Sequence, residues 1–331
     1  MTENHEKIVP PEIIEAFYGS NVESQSRLTG GIVNSTYLIV EKNGNKTILQ
    51  GLSPIFDASM GIDYAVVSNH LRTEDWEVAY AIESKDGVTY QPDNSDRLWR
   101  GFSHIESEQL SAELPKLETV VGLSGLLGRL HKSLSKLDYL PVFSLPHFHD
   151  TAFYISELRD ISALLPNIEL KRLAKQVISL AEDQLIGNED SQLIHGDPQM
   201  NNALYRGGTP FTFIDFDTLM KANPLVDIGD MLRSVVEKIL TEHPKFSVGQ
   251  LEPVLEAYHL ASQSKYSQEV FSEKALSAGQ TIALELGARF MIDVVKDNYF
   301  EWDNKNFCSR SEHNASRAYA QLETYKALLG D

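Results

Sequence analysis

The chain has 331 residues, 42% hydrophobic and 23% charged, which is long for one core and predicts two lobes. Its 47 acidic against 29 basic residues leave a net charge of −18, a surface that repels phosphate backbones and argues against nucleic acid as a partner. A single cysteine, Cys308, excludes an internal disulfide framework and a cysteine-rich metal site. No apolar run approaches the roughly 18 residues of a membrane helix. The opening Met-Thr-Glu-Asn-His-Glu-Lys has neither the basic nor the apolar region of a signal peptide, so the cytoplasm is the expected compartment.

Residues 8–18, with prolines at their start, predict a short leading helix. From Arg27 the pattern reads strand, Gly30-Gly31 turn, strand, Asn43-Gly44 hairpin, strand, the last being Lys46 to Gln50. A Gly-Gly turn opening a hairpin is one way to lay backbone over phosphates, and Asn34, Ser35 and Thr36 offer polar side chains beside it. Protein kinases place a lysine on the third strand to hold the α- and β-phosphates. Here that position is Gln50, whose amide can donate to phosphate but carries no charge. Either another cation compensates or nucleotide affinity is modest.

A helix over 56–72 and an edge segment over 75–83 follow, then strands at Val88–Tyr90 and Arg97–Phe102. His104 and Ile105 stand where a hinge between lobes would offer backbone groups to adenine; an ordinary connector reads the same way. Leucines and valines recurring at threes and fours from Leu117 to Leu137 predict a helix with a buried stripe. His147 and His149 flank Phe148 without the further ligands of a zinc site, which suggests a structural or substrate-edge loop. Another helix covers 168–186, and the C-terminal third reads as helices over 249–262, 276–296 and 310–329.

The chemistry concentrates at residues 194–217. Stripped to polar positions, this stretch is His195-x-Asp197-x-x-x-x-Asn202, followed by Asp215-Phe216-Asp217. The first has the spacing of the kinase catalytic loop, and the second sits where D-F-G would. A phosphoryl acceptor needs a carboxylate to orient its hydroxyl and take its proton, a role that fits Asp197. Magnesium on a nucleotide needs hard oxygen ligands, which Asn202 and Asp215 supply. Gly207-Gly208 predicts a hairpin between them that lets both face one metal. Beyond it, Asp227 suits a helix N-cap with Asp230 at the N3 position, and could also brace the catalytic loop. No long activation loop precedes that helix, which favours a small-molecule kinase over a protein kinase. Glu285, Arg289 and Asp293 share one helical face; exposed ion pairs or acceptor contacts both account for the spacing. Tyr299, Phe300 and Trp302 could form an aromatic wall for a sugar face or close the lobe.

These motifs resemble the aminoglycoside phosphotransferase/choline kinase family. Within it, Gly31-Ile-Val-Asn-Ser-Thr-Tyr-Leu, Ile48-Leu-Gln, His147-Phe-His-Asp-Thr, Asp227-Ile-Gly-Asp and Arg289-Phe-x-x-Asp293 resemble the bacterial N-acetylhexosamine 1-kinase subgroup. The resemblance implies an α+β, bilobal, protein-kinase-like fold. A small β-rich N-lobe would span residues 1–103 and a larger, mainly helical C-lobe 104–331. It implies ATP and Mg2+ as cofactors and a small-molecule sugar as partner, handled by a monomer or dimer. Asp197 would be the base toward an anomeric hydroxyl, Asn202 and Asp215 the magnesium ligands, and Arg289, Asp293 and Tyr299 the sugar contacts. Gly30, Gly31 and the 102–106 hinge would hold ATP, with His195 and Asp227 as structural support. Other acceptors of this family, an aminoglycoside, choline, homoserine or methylthioribose, stand as alternatives. Gln50 also admits a non-catalytic pseudokinase, against which Asp197, Asn202 and Asp215 argue.

Overall fold

The computed structural model describes residues 8–28, 34–108, 116–182, 184–242 and 246–330. The chain divides into two compact units, residues 1–107 with 141–143, and 108–140 with 144–331. The first is built on an antiparallel sheet and the second mainly on helices, an α+β architecture.

In the first unit, α1 (Pro11–Tyr18) starts with proline at its first position, where the missing N–H costs nothing. Strands β1 (Val22–Arg27), β2 (Ser35–Glu41) and β3 (Lys46–Gly51) follow, the β2–β3 turn using Gly44 at φ 88°. After α2 (Met60–Thr73) come β4 (Ala81–Ile82), β5 (Tyr90–Pro92) and β6 (Leu98–Ser103). The sheet order is β1-β2-β3-β6-β4, with β5 also pairing β6. Alternation sorts its two faces. Tyr37, Ile39, Leu49 and Trp99 are buried with Val9, Ile13 and Phe17 at α1. On the opposite face Leu38, Ile48 and Phe102 are only half-buried. There α2 brings Tyr64 to within 4.9 Å of the Phe102 ring.

In the second unit, α3 (Leu117–Leu134) carries the leucine stripe read from the sequence, buried at Leu123, Leu127, Leu130 and Leu134. Next come α4 (Thr151–Ile161) and α5 (Ile168–Ala181), capped by Asp150 and Asn167, whose side chains accept from Phe153 N and Leu170 N. Residues 192–222 form β7 (Gln192–Ile194), β8 (Ala203–Arg206), β9 (Thr209–Phe213) and β10 (Met220–Ala222), paired as β8–β9 and β7–β10. Helices α6 (Leu225–Glu242), α7 (Glu252–Ser262), α8 (Gln268–Lys296) and α9 (Arg310–Leu329) complete the unit. One apolar core joins α4, α5, α8 and α9.

Helix α4 is not among the expected elements, although Ala152, Ile155, Leu158 and Ile161 recur at threes along it; Ile155 and Leu158 are buried in the core shared with α5 and α8. Helix α8 begins eight residues before the expected start, 268 against 276, at the Ser267 cap. Helix α6 starts at Leu225, whose N–H donates to Asn223 Oδ1. Asp227 is therefore not an N-cap. It lies within the first turn, free to point its carboxylate elsewhere. Among the described residues no helix is long and apolar enough to cross a membrane.

Candidate active site

Strand β7 delivers His195 and Asp197 to a loop that is locked from behind. Asp227 accepts from His195 N and Gly196 N at 2.8 Å each, and its Oδ2 also meets His131 Nε2 at 2.8 Å. His131 Nδ1 in turn reaches the Tyr258 hydroxyl at 2.5 Å. Burial alone would raise the Asp227 carboxyl; the bond and charge of His131, with the loop N–H groups, outweigh it and hold it below the usual range. Gly196 has φ 87°, and a Cβ there would stand 2.2 Å from Thr218 O, so only glycine fits. His195 is fully buried, which keeps it neutral. Its Nε2 lies 3.0 Å from Ile214 O, fixing the proton on that nitrogen, and Nδ1 accepts from Asp197 N at 3.3 Å.

Asp197 and Asn202 are joined directly. Asn202 Nδ2 donates to Asp197 O and Oδ2 at 2.9 and 3.0 Å, and Gln199 Nε2 adds a bond to Oδ2 at 3.1 Å. Spending the amide nitrogen this way leaves Asn202 Oδ1 as the oxygen for a hard cation. Asp215 follows β9 in the left-handed region, φ 64° and ψ 60°, with its side chain exposed. An amide oxygen and a carboxylate beside the catalytic loop fit Mg2+, which takes one or two protein oxygens and completes its shell with phosphate and water. Among the described residues no group of three or more His, Cys, Asp or Glu is arranged for a metal.

Burial pushes the Asp197 carboxyl up to about 7, reinforced by the negative Asp230 and opposed by Arg233, His149 and the Gln199 bond. Asp230 is a site residue that the sequence presents only as a helix-start acid. Its Oδ1 takes a fork from Arg233 Nε and Nη2 at 2.9 and 2.8 Å, while its buried Oδ2 has no partner among the described residues. Arg233 also holds Glu237 at 2.9 Å. The Asp-x-x-Arg spacing was the available signal, since positions three apart share a helical face.

His149 and α8 form the adjoining wall. His149 Nε2 donates to Gly196 O at 2.8 Å, and Nδ1 faces Glu285 Oε1 at 3.4 Å. Burial opposes its charge, but Glu285 prevails and the imidazole is raised to about 9. Glu285 also accepts from Thr151 Oγ1 at 2.7 Å and lies 3.8 Å from Arg289. With Glu285 only 1% exposed, a solvated ion-pair face is ruled out for this helix. The Arg289 Cζ stands 5.2–5.7 Å from the ring centroids of Phe148, Tyr154, Tyr299 and Phe300, and Nη2 donates to the Tyr299 hydroxyl at 3.3 Å. Asp293, expected to touch sugar, is buried instead. Its oxygens accept from Asn298 N, Tyr299 N, Phe300 N and Asn314 Nδ2 at 2.8–2.9 Å. It braces the turn that carries Tyr299.

Of the residues expected to meet ATP, Gly30 and Gly31 lie outside the described residues. Asn34 Oδ1 accepts from Ser53 N, and Ser35 Oγ from Arg97 Nη2. His104 N donates to Lys46 O at 3.4 Å, so that hinge N–H is already engaged. Gln50 Oε1 accepts a fork from Arg100, Nε at 3.1 Å and Nη2 at 2.8 Å.

Comparison with known proteins decides the family. Residues 24–260 match the family described as "APH: Phosphotransferase enzyme family". The chain belongs to that family. Its fold is similar to amicoumacin kinase hAmiN, solved in complex with AMP-PNP, Ca2+ and Ami, at 13% identity and TM-score 0.67, covering 97% of this chain and 93% of that one. A microcompartment-associated aminopropanol kinase is similar at 16% identity and TM-score 0.67, covering 96% and 95%. A choline/ethanolamine kinase family protein from Mesorhizobium loti is similar at 16% identity and TM-score 0.56, covering 97% and 95%. This phosphotransferase thus has the kinase-like fold of small-molecule kinases.

Proposed function

We propose that this phosphotransferase is an ATP- and Mg2+-dependent sugar kinase, transferring the γ-phosphoryl group to the anomeric hydroxyl of a hexose or N-acetylhexosamine. The products are a sugar 1-phosphate and ADP. The observation that carries the acceptor class is Arg289 inside its ring of four aromatics. An aromatic box is how proteins hold a quaternary ammonium. Here a guanidinium already fills it, so the wall offers N–H donors and ring edges, which suit a neutral acceptor rich in oxygen. Use of ATP and a divalent cation is supported by the AMP-PNP and Ca2+ of the similar amicoumacin kinase complex.

In this reading the acceptor hydroxyl donates to Asp197, which receives its proton as oxygen bonds to phosphorus and ADP departs. The raised carboxyl of about 7 suits a base working near neutrality. A bound Mg2+ supplies charge neutralisation on the phosphates; Asn202 Oδ1 and Asp215 would hold it. Asp230 Oδ2, buried beside the base, accepts from a second hydroxyl of the same sugar. The chain's part is mainly orientation, which the doubly anchored loop is built to give.

A second reading is an amino-alcohol or aminoglycoside acceptor. It is favoured by the same Asp230 oxygen, which could pair an ammonium group, and by the acceptors named for the similar kinases. The deciding experiment is ADP release from MgATP against N-acetylhexosamines, free hexoses, 1-methyl glycosides, aminoglycosides, aminopropanol and choline, with Asp197→Asn alongside. Turnover with free sugars, absent with 1-methyl glycosides and lost in Asp197→Asn, is the expected result. Turnover only with amines would replace the sugar reading by the second one.

A further inference from the structure

The missing third-strand lysine has a structural answer inside the first unit. Register places Thr36, Gln50 and Arg100 directly opposite one another across β2, β3 and β6. They therefore form one row on one face of the sheet. The next row on that face, two residues along each strand, is Leu38, Ile48 and Phe102. This is the face that α1 does not cover and on which α2 sets Tyr64 against Phe102, with Arg100 3% exposed. The rows lie about 7 Å apart, a spacing set by the strand rise. The polar row begins at Thr36, five positions after Gly31 in sequence. The apolar row ends at Phe102, which leads into the 103–106 connector. A nucleotide needs this polarity, with apolar surface for the base at one end and donors for phosphate at the other.

Arg100 is held firmly in that row. Both Nε and Nη2 donate to the single oxygen Gln50 Oε1, and Gln50 Nε2 donates on to Thr36 Oγ1 at 3.3 Å. The guanidinium carbon lies 4.9 Å from the Phe102 ring centroid. A lysine at position 50 would have no acceptor oxygen to give Arg100. Glutamine is the residue that can both stand on β3 and fasten an arginine from the neighbouring strand.

We propose that Arg100, fastened by Gln50, is the cation that recognises the phosphates of the nucleotide in this protein, moving the lysine's charge from β3 to β6. The inference rests on the reading that the chain uses ATP. An arginine fork binds phosphate oxygens in a plane, whereas an ammonium acts as a point charge. The pair should therefore discriminate phosphorylated from unphosphorylated adenosine.

Calorimetric binding of ADP, ATP and adenosine, with Mg2+ present, tests this on the full chain. Arg100→Met is expected to weaken ADP and ATP by about tenfold or more, as loss of a charge-assisted bond implies, with adenosine changed less than about twofold. Gln50→Lys combined with Arg100→Met is expected to recover most of the loss, because it restores a β3 cation where the arginine is gone. Gln50→Leu, which keeps Arg100 and removes its fastening, is expected to weaken ADP selectively as well and serves if Arg100→Met does not fold. Undiminished ADP binding by folded Arg100→Met, or by Gln50→Leu where that variant stands in, would overturn the proposal and leave ATP use intact. Equal loss of ADP and adenosine without recovery would overturn it too, marking Arg100 as structural. Wild-type protein that binds no nucleotide would sink both readings.

Discussion

The Asp227 carboxylate accepts the backbone N–H of His195 through Oδ2 and that of Gly196 through Oδ1, each at 2.8 Å, tying the first turn of α6 to the loop that carries Asp197. The same Oδ2 meets His131, so one buried side chain serves three groups.

Asp227→Asn turns one acceptor oxygen into a donor facing an N–H or an imidazole. The buried mismatch should cost about 2–4 kcal/mol of stability, and phosphoryl transfer should fall more steeply because Asp197 loses its placement. Urea unfolding and single-turnover rates check both. Unchanged turnover in a folded variant would show that the loop holds itself without α6.

The Asp197 carboxyl, at about 7, is raised first by burial and then by the charge of Asp230. In the metal-free protein its 13C-carboxyl titration should centre near neutrality, with the proton bound below that pH and released above it. Asp230→Asn removes the negative neighbour and should move the titration to lower pH. A midpoint that stays in place would assign the whole shift to burial.

His149 is raised to about 9 in the folded protein from an ordinary value of 6.5. Its charged form is favoured by folding, so its stabilisation is complete below about pH 6.5 and fades as pH rises through 9. The stability advantage of wild type over His149→Gln should be on the order of 2–3 kcal/mol at pH 6 and shrink toward pH 9.5. Denaturant melts at those two pH values test this. A gap that widens with pH would reverse the assignment of charge.

Local patterning carried much of the fold. The leucine stripe of α3, the Asn43-Gly44 hairpin and the leading prolines of α1 each impose their structure through neighbours in sequence. The threefold apolar spacing of α4, at Ala152, Ile155, Leu158 and Ile161, was equally available in the chain. The start of α6 was not legible in that way. Asp227 has the chemistry of a cap, but Asn223 takes that work and leaves the carboxylate for the catalytic loop. Asp293 likewise has the chemistry of a sugar ligand, and the turn over 298–300 consumes it.

The sequence by itself determined the reaction class. His195, Asp197, Asn202 and Asp215 sit within 21 consecutive positions, and the spacing of a loop and hairpin is a local property that constrains geometry directly. Only tertiary structure decided which other side chains join them. Gln50 and Arg100 stand 50 positions apart, and His149 and Glu285 136 apart. Strand register aligns the first pair, and packing of the 147–150 loop against α8 brings the second together. Neither leaves a periodic trace in the chain, because a contact between distant segments depends on how two elements meet and not on the residues next to either one.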